Sequence, residues 1–312
     1  MQQYFNIKNA RFQETPDKES ADLCVYVSPD ADDRRELTEV RNLDEHTLNS
    51  ALDPDELSRI EIEDNYIAVI FKCPRNYTSA DNFLFRVSSI GLFLFDNKLL
   101  AITNDDIGFF SLGKDVSNIT GGIHELLIRF IARSVSQFLG HIRAISLIVD
   151  ELEKKLETSM NNKHLMHLFR LSQSMTYYLS AISANGVLIE KLRTYSGKIG
   201  FTAEHLERLE DLNIDNTQCY KQAEIYSAIL TSMSDARASV MNNNLNMMMK
   251  RLTVLSTVFM PLNVIAGVFG MSEYTEFTKD YLNPVAAYTL FMFGLAGVGC
   301  LMYWILHRTG LD

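Results

Sequence analysis

Residues 252–272 read LTVLSTVFMPLNVIAGVFGMS and residues 281–306 read YLNPVAAYTLFMFGLAGVGCLMYWIL, and neither stretch holds an Asp, Glu, Lys or Arg. The first is 21 residues long and the second 26. At about 1.5 Å of rise per residue, 21 helical residues span about 31 Å, the thickness of the hydrocarbon core of a bilayer. Two core helices of a soluble domain would share this apolar character, but core helices seldom stay free of charge for so long. The two stretches therefore predict two transmembrane helices.

The charges around them fix an orientation. Lys250 and Arg251 precede the first stretch, and His307 and Arg308 follow the second. The eight residues between, EYTEFTKD, carry three acids and one base. The positive-inside rule then puts both flanks in the cytoplasm and the acidic loop outside. The opening residues MQQYFNIKNARFQETPDKES contain no apolar run of the signal-peptide kind, so residues 1–250 are expected in the cytoplasm of a multi-pass protein of the cell (inner) membrane. Cys24, Cys73, Cys219 and Cys300 are scattered without a CxxC pair, as reduced thiols rather than a disulfide framework would be.

Composition agrees once it is divided. The 312 residues are 47% hydrophobic, enough for roughly two domains with a buried core, and disorder is excluded. The mean hydropathy of −0.03 looks soluble only as an average. Residues 1–250 hold 26 of the 29 Lys and Arg and 35 of the 39 Asp and Glu. A net charge of −10 disfavours binding to nucleic acid phosphates.

Residues 1–120 read as a mixed α/β domain. The run YIAVIFKC at 66–73, stopped by Pro74, is a buried strand, and 87–95 with 99–103 read as a hairpin turning at Asp96-Asn97. Residues 37–57 read as one helical region, with Pro54 at a first-turn position. A glycine-rich phosphate loop and a Ser/His/Asp spacing are both missing, which points to a regulatory or assembly module and away from an enzyme. Residues 121–248 read as a helical stalk. Its first helix covers 123–156; a second runs from Asn161-Asn162 to about Tyr195, and Gly197 and Gly200 mark a break. A third starts behind Thr202 as N-cap and meets no glycine or proline from 203 to 260. Those 58 residues, roughly 87 Å as a helix, run straight into the first span. Leu212, Cys219, Tyr226, Met233, Val240 and Met247 recur every seventh residue, the spacing of a helix packed along its length.

A second face carries the chemistry. From Asp235, alternating steps of four and three give Ser239, Asn242, Asn246, Met249, Thr253, Ser256, Met260, Asn263, Gly267 and Gly270. On a helix these residues share one stripe, and they are polar, small or methionine amid Leu, Val, Phe and Ile. Such a stripe in lipid must face water, a partner helix or a pore. Close helix–helix packing remains an alternative, since Ser, Thr and Gly serve it equally. The extension of the stripe to Asp235, outside the span, favours a pore entrance. Two helices cannot enclose a channel, so a pore requires several copies of the chain. Rings of amides and hydroxyls suit a strongly hydrated cation such as Mg²⁺, and Met249 with Leu252 would make a hydrophobic constriction beside the Lys250-Arg251 ring.

The segment NMMMKRLTVLSTVFMPLNVIAGVFGMS, residues 246–272, resembles the pore helix of the CorA family of divalent-cation transporters. Its most specific part is the K-x-L-T-x(5)-F-x-P-x(5)-G-x-x-G-M spacing from Lys250. The resemblance implies an α+β membrane protein forming a funnel-shaped homopentamer. Its parts would be a cytoplasmic α/β domain (1–120), a helical stalk (121–248), a pore-lining transmembrane helix (249–272), an outer loop (273–280), a second transmembrane helix (281–306) and a cytoplasmic tail (307–312). It also implies that Asp235, Asn246, Met249, Leu252, Met260 and Asn263 lie on pore positions, with Met249 and Leu252 at the hydrophobic gate. The family's Gly-Met-Asn signature is Gly270-Met271-Ser272 in this chain, so a hydroxyl stands where an amide would meet the hydrated ion. Glu273 and Glu276, repeated fivefold, would gather cations at the mouth. By register Asp211, with Asp215 close by, matches a stalk acid of a regulatory Mg²⁺ site in relatives.

These readings predict Mg²⁺ influx without a cofactor, the ion being cargo and a regulatory ligand. The partners are further copies of the chain, the bilayer and divalent cations. Zn²⁺, Co²⁺ or Ni²⁺ transport on the same fold stands as the alternative, and a non-conducting membrane-tethered scaffold or sensor as the rival class. His164 and His167, beside Met160 and Met166, form a weaker metal-binding candidate whose plainer reading is a solvated helix face.

Overall fold

A computed structural model describes residues 1–8, 11–78, 81–96, 98–105, 122–158, 162–269, 276, 278, 280–281 and 283–308. The chain divides into two units, Met1–Ser234 and Asp235–Asp312.

The first unit is built on strands β1 (Gln2–Lys8), β2 (Arg11–Glu14), β3 (Leu23–Val27), β4 (Arg59–Ile62), β5 (Ile67–Pro74), β6 (Val87–Leu94) and β7 (Leu99–Thr103). They form one seven-stranded sheet in the order β2-β1-β3-β7-β6-β5-β4. Only β3 and β7 pair in parallel; every other neighbour is antiparallel. The two predicted strands of the hairpin pair in register from Ile90–Thr103 to Leu94–Leu99. Strands β3 and β7 are buried at every position, which is why they read as continuous apolar runs without alternation.

Alternate residues serve two cores. Leu23, Val25, Val69, Phe71, Ile90, Leu92, Leu99 and Ala101 point to one face, where helices α3 (Gly122–Thr158) and α4 (Asn162–Thr194) supply Leu127, Ile131, Phe138, Met175, Tyr178 and Ile182. Cys24, Tyr26, Ala68, Ile70, Phe93, Leu100 and Ile102 point to the other, covered by Leu37 of α1 (Ala31–Glu39) and Leu48, Ala51 and Leu52 of α2 (Glu45–Leu52). The sheet is thus the middle layer of an α/β/α sandwich. Helix α2 lies so close to β6 that a Cβ on Gly91 would collide with the Ala51 Cβ.

The single helical region expected over 37–57 is two helices. Asp30 and Asp33 form a capping box at the start of α1, and Asp44 caps α2 by accepting the Thr47 N–H at 2.9 Å. Between them Asn42 takes a left-handed conformation (φ 52°). Pro54 follows α2 instead of opening a helix, because its ring drives Asp53 into the extended conformation (φ −85°, ψ 117°).

After α4 the chain makes a short turn of helix, α5 (Ser196–Ile199), closed by Gly200 at φ 85°. Helix α6 then runs unbroken from Ala203 to Phe269. Thr202 is its cap, as predicted. Its Oγ1 accepts the His205 N–H at 3.4 Å, while its own N–H donates to His205 Nδ1 at 3.2 Å. A histidine therefore performs the task that Glu or Gln has in the usual capping box.

Leu209, Leu212, Asn216, Cys219, Ala223 and Leu230 of α6 are buried at steps of three, four and seven. Tyr226 and Met233 continue that spine at its edge. The heptad positions further on, Val240 and Met247, are exposed in the protomer. The second unit comprises the rest of α6, helix α7 (Pro284–Arg308) and the described residues between them.

Candidate ion pathway

Among the described residues one helix is long and apolar enough to cross a membrane by length and composition, Pro284–Ile305 in α7. The other predicted span, 252–272, is described as helix only as far as Phe269. Gly270, Met271, Ser272 and Glu273 lie outside the described residues. Glu276 is described and is exposed.

Helix α6 places the stripe as one continuous feature. Asp235, Ser239, Asn242, Asn246, Met249, Thr253, Ser256, Met260, Asn263 and Gly267 are all helical and all exposed in the protomer. So is Leu252. Val254, Val258, Leu262 and Ile265 are half-buried instead. Leu262 packs on α7, where a Cβ added to Gly299 would come within 3.3 Å of its Cδ1. The polar stripe is therefore not the face that Leu262 presents to α7. Leu255 and Phe259, four residues apart on a further face, are apolar and exposed, as a lipid-facing surface requires.

Two local features leave acceptor oxygens on or beside the stripe. Thr253 Oγ1 donates to the Met249 carbonyl at 2.9 Å, so the hydroxyl hydrogen is spent on the helix and its lone pairs stay available. Pro261 has no N–H, which leaves the Thr257 carbonyl without its donor four residues on. Leu252, Thr253, Ser256, Thr257, Met260 and Pro261 together with Met302 of α7 line a cavity of about 370 Å³, so one edge of the stripe borders α7 at this level.

The base of α6 is fixed by a polar cluster that sequence reasoning missed. The Glu125 carboxylate of α3 is 1% exposed. It accepts from Arg129 Nε at 2.8 Å, Arg129 Nη2 at 2.5 Å and Arg208 Nη1 of α6 at 2.7 Å. Next to it His124 Nε2 donates to the Ile199 carbonyl at 2.9 Å, and the His124 and His205 rings lie 5.9 Å apart. Burial, and after it the charge of His124, hold His205 below its ordinary pKa. The i,i+4 pair of Glu125 and Arg129 was legible in the sequence; the partner 83 residues away was not.

Asp211 and Asp215 are exposed on α6. Among the described residues no three His, Cys, Asp or Glu side chains are grouped to hold a metal. His164 and His167 have ring centroids 6.2 Å apart, and His167 packs against Phe83 at 4.3 Å.

A long helix that carries a polar stripe into an uncharged stretch, followed by a second apolar helix, places the chain among membrane ion transporters. The profile of the family described as CorA-like Mg²⁺ transporter protein matches residues 24–308, and the chain belongs to that family. It is 29% identical over 236 residues to the cobalt/magnesium transport protein CorA of Methanocaldococcus jannaschii, covering 72% of this chain and 71% of the relative. The fold is that of the complete structure of the CorA magnesium transporter from the same organism, with a TM-score of 0.76, 22% identity, and coverage of 100% and 98% of the two chains. The cytoplasmic domain of ZntB from Vibrio parahaemolyticus shares the fold over 77% of this chain and 98% of its own, with a TM-score of 0.60 and 11% identity.

Proposed function

We propose that the chain forms a homopentamer in the cell membrane and conducts divalent cations, chiefly Mg²⁺, inward along an axis lined by the α6 stripe. The observation that carries this reading is the unbroken run of exposed Asp, Asn, Ser, Thr and Met from Asp235 to Asn263. Hydroxyl and amide groups bind a hydrated cation through its water, and Mg²⁺ gives up that water reluctantly. At an interior potential of −100 mV a doubly charged ion gains roughly 4.6 kcal/mol on entry, so no other energy source is required.

Residues 252–272 and 281–306 are the two spans of this reading, and both termini are cytoplasmic. The end of α7 supports that orientation, since Arg308 lies 5.3 Å over the Trp304 ring, an aromatic and a cation suited to a membrane interface. Met249 and Leu252 form the hydrophobic gate. Gly270, Met271 and Ser272 are the selectivity signature, and Glu273 and Glu276 attract cations outside it. Asp211 contributes to a regulatory Mg²⁺ site whose remaining ligands come from a neighbouring copy.

The test is Mg²⁺ and Co²⁺ flux into proteoliposomes. Asn246→Leu and Asn263→Leu are expected to reduce flux at least tenfold while the oligomer persists on cross-linking. Ser272→Asn beside the parent reports whether the variant signature sets the ion preference. A parent protein that carries none of Mg²⁺, Co²⁺, Ni²⁺ or Zn²⁺ refutes the reading and supports the scaffold.

A further inference from the structure

Strand β5 holds a lysine where its neighbours are wholly apolar. Lys72 lies between Phe71 and Cys73 in the run IAVIFKCP and is 5% exposed. Strand β4 pairs with β5 only from Ile67 to Ile70, so the edge of β5 beyond Ile70 has no strand beside it. Asn185 of α4, fully buried, takes the place of that strand. Its Oδ1 accepts the Lys72 N–H at 2.9 Å, and its Nδ2 donates to the Lys72 carbonyl at 2.8 Å. The opening left past the end of β4 is a cavity of about 430 Å³, lined in part by Lys72, Arg86, Leu57, Leu84, Tyr177 and Ala181. That volume is in the range of small-ligand sites, and the lining mixes apolar side chains with a few polar ones, as such sites do.

The ammonium of Lys72 is hydrogen-bonded by neutral groups. Nζ donates to the Pro54 carbonyl at 2.7 Å and to Ser89 Oγ at 2.8 Å, both neutral acceptors. Three N–H groups are available, so one remains. Among the described residues no carboxylate lies within ion-pairing distance of it. Asp53, Asp55 and Glu56 are near enough to favour its charge, yet burial outweighs all three and lowers the pKa of the amine. Each of these acids is otherwise engaged or in water. Asp53 accepts the Asp55 N–H at 2.9 Å, Glu56 bonds Arg59, and Asp55, on the cavity wall, is exposed. A buried charge held only by neutral groups is costly and is relieved when an opposite charge is brought to it. The second cation of the cavity, Arg86, is exposed and forms no ion pair among the described residues. Just before it in the chain Asn82 and Phe83 hold positive φ (48° and 67°), strain of the kind that collects at binding sites.

We propose that this cavity is a binding site for a small organic anion, a carboxylate or phosphate carried on a partly apolar body. The charged group sits between Lys72 Nζ and the Arg86 guanidinium, and the body lies against Leu57, Leu84, Tyr177 and Ala181. The site belongs to the first unit alone and does not depend on ion conduction.

The test is isothermal titration of the full-length protein in detergent with phenyl phosphate, hexanoate and inorganic phosphate. Saturable binding of phenyl phosphate or hexanoate is expected, and the stronger of the two identifies the charged group. Arg86→Ala, at an exposed position, is expected to weaken binding about tenfold or more, as loss of one charge-assisted contact does. Lys72→Met is expected to abolish it, with a far-ultraviolet spectrum to verify its fold. Should Lys72→Met not fold, Arg86→Ala decides alone. Absence of saturable binding by both organic anions overturns the proposal, as does binding that Arg86→Ala leaves unchanged. Binding of inorganic phosphate as tight as that of phenyl phosphate overturns the role of the apolar wall.

Discussion

Glu125→Gln removes one negative charge and keeps the shape of the side chain, so it isolates the electrostatic tie between α3 and the first turns of α6. The wild-type carboxylate accepts three hydrogen bonds from Arg129 and Arg208 while itself 1% exposed. Breaking a fully buried pair costs about 3–5 kcal/mol, most of it from the charge left behind. Here the guanidiniums left behind are 27% and 36% exposed and recover part of their hydration, which lowers the expected loss to about 2–3 kcal/mol. In a unit of this size each kcal/mol moves the thermal midpoint by about 2–4 °C, so the variant should melt about 5–10 °C lower. The assay is thermal unfolding of the full chain in detergent, followed by circular dichroism, for Glu125→Gln, Arg208→Met and the pair. Because one interaction underlies both single losses, the double variant should lose at least about 1 kcal/mol less than their sum. A Glu125→Gln midpoint within about 2 °C of the parent, or strictly additive singles, would refute the reasoning.

Two other outcomes follow from the same unit. Gly91→Ala should destabilise the protein by about 1–3 kcal/mol, because the new methyl would collide with the Ala51 Cβ. Ala51→Gly in the same chain should recover much of that loss, and chemical unfolding midpoints measure both. His205 has a folded pKa below its ordinary value of 6.5, because burial opposes its charge and the charge of His124 opposes it further; protonation of Nδ1 would also cost the hydrogen bond it accepts from the Thr202 N–H. The unfolded chain therefore binds the proton more readily, and stability present above about pH 6.5 is lost as pH falls through the folded value. His205→Gln, which keeps an acceptor and cannot titrate, should flatten that part of the pH dependence of the midpoint between about pH 7.5 and 5. An unchanged profile would show that the cap does not couple to protonation.

Legibility followed the range of the forces involved. The buried strands, the β6–β7 hairpin, the helix behind Thr202 and its seven-residue spine are readable because periodicity, proline and glycine act within a few residues. The single helical region read over 37–57 is instead two short helices, 31–39 and 45–52, because their starts depend on Asp30 and Asp44 as caps, each a choice of about 1 kcal/mol. Lys72 is inconspicuous inside YIAVIFKC, since nothing local says that β4 stops short and leaves a cavity beside it. Arg208 reaches Glu125 across 83 residues, a pairing no spacing rule detects. The stripe is legible for the opposite reason. It is a property of one helix, and within a bilayer a polar side chain has few surroundings that can satisfy it.

The stripe also constrains the proposed pore more tightly than its residue types do. Steps of four and three average 3.5 residues per turn, whereas an α-helix turns every 3.6. At about 100° per residue, the ten positions from Asp235 to Gly267 fall within an arc of roughly 120° on a straight helix. They drift by about 20° with each heptad. Ten residues on so wide an arc cannot all meet one axis unless the helices lean around it in the left-handed sense. A lean of that kind brings each stretch of the stripe to the axis in turn. Met249 lies well inside the arc, while Leu252 falls roughly 60° from Met249 and about 20° outside the polar sector. In the proposed pore the two members of the gate therefore have different tasks. Met249 narrows the path itself, and Leu252 seals the seam between adjacent copies of α6 beside it. A constriction made in this way closes by a small change in helix lean, because the same rotation that brings Leu252 towards the axis carries Thr253 away from it.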